Sequence, residues 1–503
     1  MKFVTTPEEK VLADKCDILA IGCVQSKLKG KTIPSFGQLL KISDEKLSGE
    51  LMKQTRVEKF TAKKSTSMTL FSAGLVAPRY IMLYGLGERQ EISLDDIRNF
   101  ASAATRSTEK IHGKKCAVVL PKLPSSIELP DAARAIAEGT MLGSYAYENY
   151  KSDEDDKHER VTEVSITIDR PSEKFKKALD FGAALAEATV RARDMINTPA
   201  NYMTPSHLIV EAKRIAKTAG LSCTVYDKKR MADEKMECIL SVAKGSEEPP
   251  ALIILEYCPK KKPKKHVVLV GKGVTFDAGG ISLKPPQGMP TMKDDMAGAA
   301  AVIAAMSTIG NFKPGIKVTA IIPAVENLPD GKALKPGDII RAKNGKTIEI
   351  ITTDAEGRLI LADALVLASE MKPSAIVDLA TLTGGALYCC GELYSLIMGN
   401  DERLIAKMMA AAKSSGEPMW QLPMVEEYKK GYTSGIADLK NSGKSKAQTI
   451  MGAIFLREFV DEKIPWAHID IAASSWTEEK LPLSDLGGTG AMTRSLIEFV
   501  MKF

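Results

Sequence analysis

An α/β chain of two domains, the larger built on a mainly parallel sheet flanked by helices, is what this sequence predicts. Three observations predict it. Short apolar runs of strand length alternate with amphipathic segments of helix length along the chain. Many of those runs are continuous rather than alternating, as strands covered on both faces require. At 503 residues, 44% hydrophobic and 26% charged, the chain has an ordinary globular balance and ample length for more than one core.

In the first part, 17–22 (DILAIG), 80–84 (YIMLY) and 116–120 (CAVVL) read as buried strands, and 94–107 and 132–150 as helices. The charged stretch KSDEDDKHER at 151–160 reads as an exposed loop, with a strand-like VSITI beyond it. Good helix formers then run over 173–196 and stop ahead of Asn197-Thr198-Pro199. The expected layout is a small α/β domain over 1–170, a connecting helix over 171–200 and a larger domain over 201–503. In the larger part CTVYD, ALIILEY, HVVLVG, KVTAIIP, AIVDLA and AHIDIA are the predicted strands. Helices are predicted at 207–219, 296–309, 359–371 and 447–460. Ligands in such folds gather at the carboxyl ends of strands. The chemically suggestive residues follow HVVLVG, IEI and AIVDLA.

Composition narrows the function. No apolar run approaches the roughly 18 to 20 residues that span a membrane. The acidic start without an apolar signal core predicts a cytoplasmic protein. Eight cysteines without paired spacing read as reduced thiols, with the vicinal Cys389-Cys390 as buried packing. A net charge of +6 is too small to argue for nucleic acid. The dense basic run from Cys258 to His266 is expected to be a solvated hairpin loop, with polyanion binding as the alternative. The five histidines, His112, His158, His207, His266 and His468, never pair at metal-site spacing, and no Cys-x-x-Cys exists. A bound metal would therefore rest mostly on oxygen ligands.

Three segments carry the chemistry. GKGVTFDAGGISLKP at 271–285 lacks phosphate-loop spacing and is followed by proline, so its glycines suit close backbone approach to Lys272, Asp277 and Lys284. TMKDDMAGAAA at 291–301 places Asp294 and Asp295 at a helix start, where one is expected to cap and the other to serve the site. TTDAEGRLILADAL at 352–365 sets Asp354, Glu356 and Arg358 at the mouth of an apolar helix. If Asp277, Asp295, Asp354 and Glu356 share one site, each pair about 4 Å apart repels by about 4 kcal/mol at an effective dielectric of about 20. Something positive must hold them. Two divalent metals about 3.5 to 4 Å apart, bridged by carboxylates, would do so.

These segments resemble the leucyl aminopeptidase family of M17-type dinuclear metallo-aminopeptidases. RDMINTPANYMTP, KPGDIIRAKNGKTIEI, IADLKNSG and WAHIDIA extend the likeness over nearly all of the chain from about residue 190. The N-terminal domain matches only in outline, as that family's domain of variable role does. The resemblance implies that Lys272, Asp277, Asp295 and Glu356 hold a tighter metal, and Asp277, Asp354 and Glu356 an exchangeable one. Zn²⁺ is the implied ion, with Mn²⁺, Co²⁺ or Mg²⁺ as alternatives in the exchangeable site. Lys284 then stabilises the developing oxyanion and Arg358 positions a bicarbonate as general base. Met292, Thr381, Gly384 and Ala473 fall where the family lines the pocket for the first side chain, although Met292 alone also reads as core packing.

The implied function is removal of N-terminal, leucine-like residues from peptides by a water activated between two metals, in a homohexamer. Alternatives are a two-metal phosphoesterase and, as a secondary role, nucleic-acid binding. Three departures stand out: Thr352 where the family has asparagine, Ala278 where it commonly has serine, and Glu326-Asn-Leu-Pro-Asp-Gly331 for the usual E-N-M-P-S-G. None replaces an implied ligand.

Overall fold

A computed structural model describes residues 1–28, 31–35, 38–153, 159–443 and 446–503. The middle of the expected charged loop, 154–158 with His158, lies outside the described residues. Contacts divide the chain into two compact units, Met1–Glu187 with Glu479–Asp485, and Ala188–Glu478 with Leu486–Phe503.

The first unit is a seven-stranded sheet in the order Lys2–Thr6, Glu163–Thr167, Lys115–Val119, Ile18–Leu28, Tyr80–Glu88, Ser67–Phe71, with Lys31–Ser35 pairing Ile18–Leu28. The first five strands of that order run parallel; Ser67–Phe71 and Lys31–Ser35 pair antiparallel. Helix Leu94–Lys110 starts where a capping box demands: Ser93 Oγ accepts from Asp96 N, and the Asp96 carboxylate accepts from Ser93 N at 2.8 Å. The other predicted helix here is shorter than its pattern. It begins at Leu129, with proline in its first turn, and ends at Gly143. The tyrosines beyond leave the helix, and the rings of Tyr147 and Tyr150 meet with centroids 6.3 Å apart. Their apolar bulk imitates helical periodicity without continuing the backbone ladder.

The second unit holds a nine-stranded sheet in the order Met419–Gln421, Ser395–Gly399, Trp466–Asp470, Ala375–Ala380, His266–Gly271, Lys317–Asn327, Ala251–Tyr257, Ser222–Tyr226, with Gly273–Asp277 pairing Lys317–Asn327. Its centre is parallel; Ser395–Gly399, Ala251–Tyr257 and Ser222–Tyr226 join antiparallel, and Met419–Gln421 pairs parallel with Ser395–Gly399 at the edge. Helices cover both faces. Val268 and Val270 join the core that contains Leu359 to Ala362 of helix Gly357–Glu370. Gly271 turns to the opposite face, where a Cβ would lie 2.7 Å from Gly298 O of helix Ala297–Phe312. No helix among the described residues is long and apolar enough to cross a membrane.

Two expectations about strands need correction. The strand carrying IEI, Thr347–Glu349, is not part of the large sheet; it pairs with Ile339–Arg341 and Leu439–Lys440 in a separate three-stranded sheet. The lysine run 258–266 is exposed but is no hairpin, because Lys317–Asn327 lies between the two strands that it joins. Both errors have one cause: apolar pattern identifies strands but says nothing of which strands pair. The vicinal cysteines also differ from expectation. Cys389 is exposed and Cys390 half-buried, because they end a short helix, Gly385–Cys390, that buries only Ala386.

Candidate metal centre

The site grows from the carboxyl end of His266–Gly271. Lys272 follows at once, held by its backbone: its N–H donates to Leu379 O at 3.1 Å and its carbonyl accepts from Ala299 N at 2.8 Å. The small-residue helix start permits this approach, since a Cβ on Gly298 would meet Leu379 O at 2.1 Å. Lys272 is buried, and Nζ lies 2.6 Å from Asp295 Oδ1, 3.0 Å from Glu356 Oε1 and 2.6 Å from Thr381 O. Thr381 Oγ1 also donates to Asp295 Oδ1 at 2.8 Å. Asp295 belongs to a 3₁₀ segment, Met289–Met296, ahead of the helix.

Neither aspartate of the pair caps that helix, contrary to expectation. Met296 occupies the N-cap without a side-chain bond, and Asp294 is buried, accepting from Ser475 Oγ at 3.1 Å. The 3₁₀ turn places both carboxylates ahead of the cap position.

Asp277 ends the strand Gly273–Asp277, where a register shift between Val274 and Asp277 re-aims it. Its Oδ1 accepts from Gly279 N at 2.9 Å and from Asn327 Nδ2 at 2.8 Å. Its Oδ2 faces Lys284 Nζ at 2.8 Å, and the same ammonium lies 2.5 Å from Asp354 Oδ1. One carboxylate oxygen from each of Asp277, Asp354 and Glu356 falls within 4.8 Å of the others. Asp277 and Glu356 are buried; Asp354 is exposed.

Electrostatics show a cluster short of positive charge. Four carboxylates share two ammonium groups. Burial and then Glu356 push the Asp277 carboxyl up to about 6, despite Lys284 and Lys272. Burial also raises Asp295 well above the usual range. For Lys272, burial acts downward but Asp295 and Glu356 outweigh it and raise its pKa, so the carboxylates alone favour the ammonium form. Asp295 Oδ2 and Glu356 Oε2 are buried with no hydrogen-bond partner among the described residues. Such oxygens are costly to leave unpaired. Hard carboxylate donors, two of them orphaned, and lysines standing in as cations fit divalent metal ions.

Arg358 is placed differently. Its guanidinium donates through one terminal nitrogen to Tyr432 OH and to Asn441 O, both at 2.9 Å, and makes no ion pair with the carboxylates among the described residues. Met292 is half-buried in the 3₁₀ segment, Ala473 is buried beyond Trp466–Asp470, and Gly384 is exposed, with open space where a Cβ would stand.

Sequence reasoning assigned no role to Asn327 or Thr353, which join the loops that carry Asp277 and Asp354, or to Asn441. Asn441 Oδ1 accepts from Ile351 N at 2.8 Å and its Nδ2 donates to Thr352 O at 2.6 Å. Asn327 and Asn441 do sit inside the quoted segments ENLPDG and IADLKNSG, the only signal they offered.

Comparison with known proteins gives the family. The profile described as "Cytosol aminopeptidase family, catalytic domain" matches residues 190–497, and its N-terminal companion matches 22–154. The chain belongs to the cytosol aminopeptidase family. A probable cytosol aminopeptidase of Geotalea uraniireducens is 40% identical over 96% of each chain. One of Alkaliphilus metalliredigens is 38% identical over 99% of each. Among solved structures, a mutant of tomato leucine aminopeptidase superposes with a TM-score of 0.91 at 32% identity, covering 100% of this chain and 97% of that one. The bottromycin maturation enzyme BotP in complex with Mn gives 0.84 at 33%, covering 97% of this chain and 99% of that one. Membership in this M17 family makes the chain a metal-dependent aminopeptidase, a hydrolase that removes N-terminal residues from peptides.

Proposed function

We propose that this aminopeptidase holds two divalent ions and prefers peptides that begin with leucine-like residues. The supporting observation is the convergence of Asp277, Asp295, Asp354 and Glu356 on two lysines, with two buried carboxylate oxygens left over. Lys272, Asp277, Asp295 and Glu356 would hold the tighter ion; Asp277, Asp354 and Glu356 would hold the exchangeable one, Zn²⁺ or Mn²⁺ being suitable for this donor set. When bound, the ions supply Lewis acidity and a water that ionises near neutral pH.

The chain's own groups do the rest. Asp295, beside the tighter ion, would accept from the terminal amine of the peptide, and this would restrict cleavage to the first bond. Lys284 presents a fixed positive charge to the oxygen of the scissile carbonyl as negative charge develops there. Arg358, oriented by Tyr432 and Asn441, would hold a bicarbonate, which would supply the general base. The Thr381 hydroxyl is committed to Asp295, and Met292, Gly384 and Ala473 would line an apolar slot for the first side chain. Such a slot discriminates by about 1 to 3 kcal/mol per methylene.

Chelator-treated protein is expected to lose turnover of leucyl anilide and regain it with Mn²⁺ or Zn²⁺, with leucyl and methionyl substrates ahead of acidic ones and no turnover of phosphoesters. Undiminished trimming after chelation, confirmed by metal analysis, would refute the metal reading. We further propose a cytoplasmic homohexamer. Exposed Leu387, Tyr388, Leu393 and Tyr394 offer the kind of apolar surface that subunits bury. Sedimentation should then give six times the 54.4 kDa chain mass; an active monomer would refute it.

A further inference from the structure

The two loops that bear Asp277 and Asp354 are stitched together by a hydrogen-bonded clasp with Asn327 at its centre. Asn327 is buried at the end of Lys317–Asn327. Its Nδ2 donates to Asp277 Oδ1 at 2.8 Å and also to Thr353 O at 3.0 Å, the carbonyl of the residue before Asp354. Its backbone carbonyl accepts from Ala278 N at 2.9 Å. Thr353, buried as well, continues the clasp: Oγ1 donates to Gly279 O at 2.5 Å and accepts from Ser282 N at 2.8 Å, while Thr353 N donates to Ser282 Oγ at 3.1 Å.

The fit leaves no slack. Gly280 has φ +66, and a Cβ there would lie 2.8 Å from Asn327 Oδ1 and 2.9 Å from Thr353 Oγ1. Asp277 Oδ1 already accepts from Gly279 N and Asn327 Nδ2, so only Oδ2 is turned to the cationic side, where Lys284 Nζ sits.

We propose that Asn327 is a positioning residue: its amide selects which oxygen of Asp277 meets the ions and sets the spacing between Asp277 and Asp354, and thereby the affinity of the exchangeable site. This rests on the two-ion reading above. Asp277 is common to both sites but Asp354 belongs to the exchangeable one alone, so loosening the clasp acts mainly there. Partners that orient metal ligands typically carry 10- to 100-fold in affinity.

The test is titration of chelator-stripped full-length protein with Mn²⁺, free ion being read by its paramagnetic resonance signal, for wild type, Asn327→Ala, Asn327→Asp and Asp354→Asn. Asn327→Ala and Asn327→Asp should each weaken the second ion at least about tenfold, and more than the first. Asn327→Asp has nearly the shape of the native side chain and carries the test if the alanine protein does not fold. A second ion bound as in wild type, or equal weakening of both ions, overturns the inference. If Asp354→Asn also leaves the second ion unchanged, it is the two-ion reading itself that fails.

Discussion

Lys284→Ala is expected to lower kcat on leucyl anilide by about 10² to 10³, the range measured when one preorganised donor to an oxyanion is removed. The expectation follows from where the side chain stands. Its ammonium lies between Asp277 Oδ2 at 2.8 Å and Asp354 Oδ1 at 2.5 Å, about one-fifth exposed, on the open side of the cluster. Lys272, by contrast, is sealed within it, 3% exposed. Of the two lysines only Lys284 can therefore reach a substrate. Its positive charge is held there by Asp277 and Glu356, which raise its pKa although burial acts the other way. KM should change little and both ions should remain bound, because an interaction made mainly in the transition state lowers kcat rather than ground-state binding. Steady-state kinetics with metal analysis of the same sample decides. A loss below about threefold would remove Lys284 from the chemistry.

Glu356→Ala is expected to have the larger effect, a loss of about 10³-fold or more, since Lewis-acid stabilisation worth several kcal/mol disappears with the ions. Glu356 is the carboxylate that touches both halves of the site. Its Oε1 lies 3.0 Å from Lys272 Nζ, it shares the cluster with Asp277 and Asp354, and its Oε2 is buried without a partner among the described residues. On the two-ion proposal, metal content should therefore fall at both sites, whereas Asp354→Asn, at an exposed carboxylate, should empty only the exchangeable one. Metal analysis after exhaustive dialysis, alongside the anilide assay, separates the two. Glu356→Ala protein that keeps both ions and its activity would show that the acidic cluster is not the metal cage.

Much of this acidic cluster is legible in the amino-acid sequence because its members are chemically conspicuous. Carboxylates and lysines set among glycines and alanines are hard to explain as surface or core, and their order along the chain places them after strand-like runs. Asn327 and Thr353 carry no charge and are ordinary in loops, so only their place inside ENLPDG and TTDAEGRLILADAL marks them. Asp294 misleads for a related reason. An aspartate ahead of a helix is usually a cap, and only the 3₁₀ geometry of Met289–Met296 shows it turned to Ser475 instead.

The sequence by itself determined the α/β alternation, the donor types and their order, since these depend on side-chain chemistry and on short-range periodicity. Tertiary structure alone decided that Thr347–Glu349 leaves the large sheet, that Lys317–Asn327 separates the strands flanking the lysine run, and that Asn327 meets both Asp277 and Thr353. The last two contacts span 50 and 26 positions. Their existence depends on strand register and loop approach, where a shift of one residue would turn the same side chains to the opposite face.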